Sequence, residues 1–246
     1  MDLITKEIDQ ITFSLNKDFD FSFIPEYGKV FSVFDKQDSG NLCFGVQEGN
    51  TKLFLKMAGA ATIRSRVSED SAIKRLKETT HIYEDLRHPK LIELIDHIEI
   101  DNGYLLVFTW FDGDCMGKQY GLFDKFISLP ISEKLIIYND ILFFHQHVNK
   151  CGYIAIDFYD GCIMYNFDTH EAMLCDIEFY RKKHVLNTMG RMWGSSRYMS
   201  PEEFKLNEEI DERSNVYCMG ATAFQLMGGD LIIHSKNGEH LKNYIQ

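Results

Sequence analysis

Three charged residues set the chemical question. Asp157 lies in GYIAIDFYDGCIMYNF, between two apolar runs that read as buried strands, where a lone carboxylate is costly to bury. Asp176 follows nineteen residues later, in LCDIEFY. The runs CIMYNF and AMLCDIEFY flank the turn DTHE as a hairpin, which brings the two carboxylates to one end of a cleft. Upstream, Lys56 closes the strand-like run LFLK. Carboxylates so placed can accept a proton or hold a hard cation, and a lysine supplies a compact positive charge. Taken alone, Lys56 reads as an exposed strand lysine.

The elements that must position these residues are legible in outline. YGKVFSVF, NLCFGVQ and TKLFLKM alternate in hydropathy and are separated by DKQDSG and EGN, which predicts three antiparallel strands. Ser68 to Leu86 has an N-cap serine, acidic residues in its first turn and apolar Ile73, Leu76, Ile82 and Leu86, so it reads as a helix that His88-Pro89 ends. LIELIDHIEI and YLLVFTWF around Asp101-Asn102-Gly103 add two strands. Beyond Asp112 the character changes: ISEKLIIYNDILFFHQHV and NVYCMGATAFQLM read as helices. The expected organisation is a β-rich unit over 1–111, with a five-stranded sheet and one helix, and a mainly helical unit over 112–246. No repeat or low-complexity tract interrupts it.

Composition narrows the partners. The chain has 246 residues, 45% hydrophobic and 13% aromatic, enough for a substantial core. A formal charge of −11 repels nucleic acid and anionic lipid. Cys43, Cys115, Cys151, Cys162, Cys175 and Cys218 form no CxxC pair and lie mostly in apolar runs, as reduced thiols do. There is no signal-like N-terminus and no apolar run of about 18 residues. A cytoplasmic protein with no nucleic-acid or membrane partner is expected.

From about Phe31 to Gly228 the chain resembles the eukaryotic-type serine/threonine protein kinases. Lys56 stands where that family carries V-A-I-K, Asp157 where it carries H-R-D, and Asp176 where it carries D-F-G. GSSRYMSPEEF, from Gly194 to Phe204, is similar to the run G-T-x-x-Y-x-A-P-E, and DERSNVYCMG to the helix start S-D-V-W-S-L-G. The order of these motifs favours a functional Lys56 over a surface one. The resemblance implies an α+β, two-lobed fold that uses ATP and Mg²⁺ on a protein substrate. Asp157 would orient the attacking hydroxyl, Lys56 the α and β phosphates, and Asp176 the metal. Glu78 would pair with Lys56, with Glu84 and Glu69 as alternatives, because counting back from His88-Pro89 lands nearer Thr79. Gly40, Leu42, Phe108, Trp110 and Met164 complete the implied nucleotide-binding set.

The pattern is broken in places. DKQDSGNL keeps only Gly40 of the phosphate-turn glycines, and Phe54 replaces the alanine that roofs the adenine, so it either stacks on the base or fills its pocket. Ala155 and Ile156 precede Asp157, Tyr159 replaces a lysine, and Cys162 replaces the metal-binding asparagine. Neutral cysteine is a poor magnesium ligand, and two nearby carboxylates could compensate, Asp160 in DFYDG and Glu178; the expectation is that Asp176 and Glu178 share the metal. Without the arginine before Asp157, the basic segment RKKHVLNTMGRMW is expected to need no phosphate to order it, or to be a solvated loop. Asn215 replaces an aspartate and can still bond backbone. The tail GGDLIIHSKNGEHLKNYIQ is polar and weakly periodic, which predicts a shortened or frame-shifted second lobe with apolar surface left open to association. The expectation is a divergent serine/threonine kinase; the alternatives are a pseudokinase acting as a binding module and a small-molecule phosphotransferase.

Overall fold

In the computed structural model, which describes residues 3–228, the alternating segments of the N-terminal half become strands. Strands β1 (Ile4–Ile8) and β2 (Ile11–Leu15) form a hairpin, with Asp9 and Gln10 at φ 50° and 70° in its two-residue turn. Strands β3 (Lys29–Phe34), β4 (Asn41–Glu48), β5 (Thr51–Ala58), β6 (Leu94–Ile100) and β7 (Gly103–Thr109) make one antiparallel sheet in the order β3-β4-β5-β7-β6. Helix α1 (Glu69–Asp85) lies between β5 and β6 in the chain.

Period-2 alternation divides this sheet cleanly. Leu42, Phe44 and Val46 of β4, Leu55 and Met57 of β5, and Leu105 and Val107 of β7 share one face and pack with Phe13, Leu15, Phe21 and Ile24. The N-terminal hairpin and the turn after it therefore cap the sheet's core face. Cys43, Gly45, Phe54, Lys56, Leu106 and Phe108 alternate onto the other face.

The chain divides into two compact units: one comprises Met1–Glu84 with Ile92–Phe111, the other Asp85–Leu91 with the chain from Asp112 onward. Residues 85–91 join the second unit through specific bonds. Tyr153 donates to Asp85 at 2.7 Å, Lys90 pairs with Asp140 at 2.8 Å, and Leu91 bridges Leu174.

The second unit holds β8 (Asp114–Cys115), α2 (Phe123–Ile127), α3 (Ile131–Lys150), β9 (Tyr153–Ile154), β10 (Ile163–Asn166), β11 (Glu171–Leu174), β12 (Arg181–Lys182), β13 (Val185–Leu186), β14 (Glu209–Ile210) and α4 (Glu212–Leu226). Its strands are short and act as fasteners: β10 pairs with β8 and β11, β12 with β9, and β13 with β14. The expected hairpin between Asp157 and Asp176 is β10–β11, in register Ile163 to Leu174. At the centre, His145 is buried, with Nδ1 donating to the Ile141 carbonyl, so Nε2 accepts from Tyr180 at 2.8 Å. Burial holds its pKa down at about 4, and the ring stays neutral.

The expected shortened end and altered frame fall on residues 229–246, outside the described residues. Within them, α3 exposes Ile131, Leu135, Ile136 and Phe143, and α4 exposes Val216. No helix among the described residues is long and apolar enough to cross a membrane.

Candidate functional site

Each unit contributes its own set. In the first, Lys56 sits on β5, opposite Cys43 of β4 and Leu106 of β7. Its sheet face is crowded with aromatics: Phe54 lies 5.8 Å from Phe34 and 6.4 Å from both Phe108 and Trp110. Phe31 meets Trp110 edge-on at 4.8 Å. Gly45, opposite Phe54, is required there, because a Cβ would fall 2.7 Å from Phe31 and 2.9 Å from Trp110. Phe54, Phe108 and Trp110 thus come together near Lys56, as a packed aromatic cluster.

Two expected nucleotide residues are displaced. Leu42 is fully buried and pairs with Met57, so it faces the apolar core, and Cys43 takes the position on Lys56's face. Leu42 and Cys43 are neighbours in a strand, where one residue reverses the face. Glu78 is exposed, while its neighbour Thr79 is fully buried beside Leu76 and Tyr83. One helical step is about 100°, enough to take Glu78 off the buried face. The alternatives fare no better: Glu69 bonds Lys17 at 2.6 Å, and Glu84 lies 3.3 Å from His81 and 3.8 Å from His97. Gly40, at φ 83°, has a packing reason of its own, since a Cβ would meet Ser65 at 2.9 Å and Val67 at 3.0 Å. Arg75 also fastens this turn to α1 by donating to the Ser39 carbonyl.

In the second unit, Asp157, Asp176 and Glu178 do come together. Asp157 has φ 62°, a left-handed conformation that Asp tolerates better than most residues. Burial raises its carboxyl to about 7, with the charge of Asp176 second and those of Glu203 and Glu178 smaller, against a hydrogen bond from the Ser195 N–H. Asp176, at φ 58°, is exposed; Glu178 is buried. Met164 pairs with Cys115 and Met173 across the hairpin.

The substituted positions have become structural. Cys162 is fully buried, and its thiol approaches the carbonyls of Asp157 at 3.6 Å and Asp176 at 3.7 Å. Burial pushes its pKa well up, so it is a neutral donor linking the two segments rather than a ligand. The Tyr159 ring folds over Gly161, where a Cβ would lie 2.3 Å from it. Asn215 is buried, accepts from the Ala155 N–H at 2.7 Å and donates to the Tyr153 carbonyl at 3.1 Å. One neutral amide thus serves a donor and an acceptor at once.

The segment after Asp176 is held by protein groups on either side. Ile156, in the place of an arginine, packs with Ile154, Met192, Met199 and Ile210. Asn187 is fully buried and donates to the Glu203 carbonyl at 3.0 Å, and the Met192 N–H donates to that same carbonyl at 2.8 Å. Ser200 and Glu203 form a capping box, the Ser200 N–H lying 2.6 Å from the carboxylate, and burial raises Glu203 to about 7.

For a metal, the donors at hand are the hard carboxylates of Asp176 and Glu178. Among the described residues, no group of three or more His, Cys, Asp or Glu is disposed to hold an ion. Asp176 is exposed and Glu178 buried, so Asp176 is the carboxylate open to solvent; magnesium held together with phosphates needs only one or two protein carboxylates, and these two do not make an all-protein cage.

A protein kinase domain family model matches residues 46–246, starting within β4 and covering all the positions from Lys56 onward. The chain belongs to the protein kinase family. It is thus a protein kinase or kinase-like protein, of a family that generally uses ATP and Mg²⁺.

Proposed function

We propose that the chain is a divergent serine/threonine protein kinase that transfers the γ-phosphoryl group of ATP to a protein hydroxyl. The observation that supports this best is the surroundings of Asp157. Its carboxyl accepts from the Ser195 N–H, and Gly194 lies beside it, with the ideal Cβ position 3.5 Å from Oδ1. The run GSSRYMSPEEF, which the resemblance assigns to the substrate, therefore passes close to the residue assigned to the hydroxyl. A base with a pKa near the working pH is suited to proton transfer.

In this reading Asp157 orients the substrate hydroxyl and takes up its proton, and Lys56 holds phosphate oxygens as a point charge. Asp176 and Glu178 would hold the metal, which when bound neutralises phosphate charge. Cys162 fixes the backbone of both loops, and Asn215 fixes the approach to Asp157. Phosphoryl transfer relies mainly on positioning and electrostatics, which suits a site with replaced helpers. The reading is tested by γ-phosphate transfer to a serine/threonine peptide library with Mg²⁺; label on tyrosine alone, or on no peptide, would sink it.

A second reading, a kinase-like binding module without turnover, is favoured by the packing around Phe54. Its ring already contacts three other aromatics on the Lys56 face. If Phe54 fills space that adenine would need, Phe54→Ala tightens ATP binding by about tenfold, roughly the value of one well-formed aromatic contact. If instead it stacks on the base, the same change weakens binding by a similar factor. Titration calorimetry of the two proteins separates the cases.

A further inference from the structure

We propose that Asp160 is a positioning residue, the anchor of a buried clamp that holds the run GSSRYMSPEEF against Asp157. Asp160 lies three residues beyond Asp157 and is only 2% exposed. Arg197 meets it with both terminal nitrogens, Nη1 to Oδ2 and Nη2 to Oδ1, each at 3.0 Å. Gln225 of α4 donates to Oδ2 at 2.8 Å. The Gln225 Oε1 accepts in turn from Arg197 at 3.3 Å and from the Tyr198 hydroxyl. A single carboxylate thereby joins the loop after Asp157, the GSSRYMSPEEF segment and α4.

The physical argument concerns specificity of arrangement. A buried ion pair contributes little net stability over well-packed apolar residues, because both charges lose their water. A forked guanidinium–carboxylate pair does fix direction and distance, and lysine cannot reproduce that. Here every oxygen of Asp160 is engaged. Arg197 is two residues from Ser195, whose N–H lowers the Asp157 carboxyl against burial, and three from Gly194, where a Cβ would lie 3.5 Å from Asp157 Oδ1. The clamp thus holds the residues next to Gly194 and Ser195, which lie close to Asp157. Its effect on turnover rests on the kinase reading above; the clamp itself does not.

The test compares the whole chain with the double variant Asp160→Asn/Arg197→Gln, which removes both charges together, and with Arg197→Lys, which keeps the charge and loses the fork. Thermal unfolding first establishes that the variants fold; should the double variant not fold, Arg197→Lys is read by the same two measurements, and unchanged exchange or unchanged kcat in it overturns the proposal. In the double variant, amide hydrogen exchange over residues 157–163 and 194–204 is expected to accelerate at least tenfold while β3–β7 keep their protection. Peptide turnover is expected to fall about 100-fold in kcat, the scale of a small misplacement of a reacting group, with the KM for ATP unchanged. Arg197→Lys falls between the two. A double variant with unchanged exchange overturns the proposal, and so does wild-type kcat whatever the exchange. If the unaltered chain transfers no phosphate, the kinase reading falls, and exchange alone decides the clamp.

Discussion

Replacing Asp157 by asparagine is expected to abolish phosphoryl transfer and to make the protein more stable at neutral pH. The loss of transfer, about 10²- to 10⁴-fold in kcat, follows if Asp157 takes the hydroxyl proton as proposed. The gain follows from linkage. Burial and the Asp176 charge raise the Asp157 carboxyl from 3.8 to about 7 in the folded chain. Between those values the folded state binds the proton more tightly than the unfolded state, so stability is lost as pH rises from about 4 to 7. Asparagine has no such titration and suits the positive φ of 62°. Because the group is half-buried and partly screened, the expected gain at pH 7.5 is about 2 kcal/mol, shrinking towards pH 4. Urea unfolding at pH 7.5 and 4.5 reads it. A variant less stable than the parent at pH 7.5, or one that keeps parental kcat, contradicts the assigned role.

The second large effect concerns Asn215, where restoring the family's own residue should do harm. Its amide serves the Ala155 N–H and the Tyr153 carbonyl, and these two partners fix which way the amide points. An ionised aspartate has acceptors only, so Asn215→Asp sets a carboxylate oxygen against the Tyr153 carbonyl in a buried place. The expected cost at pH 7.5 is about 3 kcal/mol, from a charged group buried with one bond unmade. Towards pH 5 the deficit should narrow, because a protonated carboxyl can donate again. Equal stability of parent and variant at pH 7.5 by urea unfolding contradicts this account of the backbone leading into Asp157.

How far the sequence carried these assignments depended on whether a signal was local. The five-stranded sheet, α1, α3, α4 and the β10–β11 hairpin followed from alternation, caps and turns, which are short-range. The β1–β2 hairpin was readable in principle, since ITKEI and ITFSL alternate around a two-residue turn. It escaped because Asp-Gln is not the Asn-Gly or Asp-Gly that usually marks such turns. Asp157 and Asp176 emerged from motif order and do lie near each other. Glu78 was favoured for its carboxylate although counting back from His88-Pro89 pointed nearer Thr79, the residue that helical phase buries, and Leu42 lies on the core face because strand register decides which side chain reaches a face. The Asp160–Arg197 pairing could not be read from the sequence, because its partners lie 37 residues apart and neither DFYDG nor GSSRYMSPEEF shows which residue the other meets.

The claim at the centre of the kinase reading is that Asp176 makes ATP binding depend on magnesium. Titration calorimetry of ATP into the parent chain and Asp176→Asn, each with Mg²⁺ and with a chelator, measures it directly. The account predicts binding to the parent that weakens at least tenfold without Mg²⁺, and an Asp176→Asn chain that is weak in both conditions. No binding to the parent, or the same affinity in all four titrations, would contradict it.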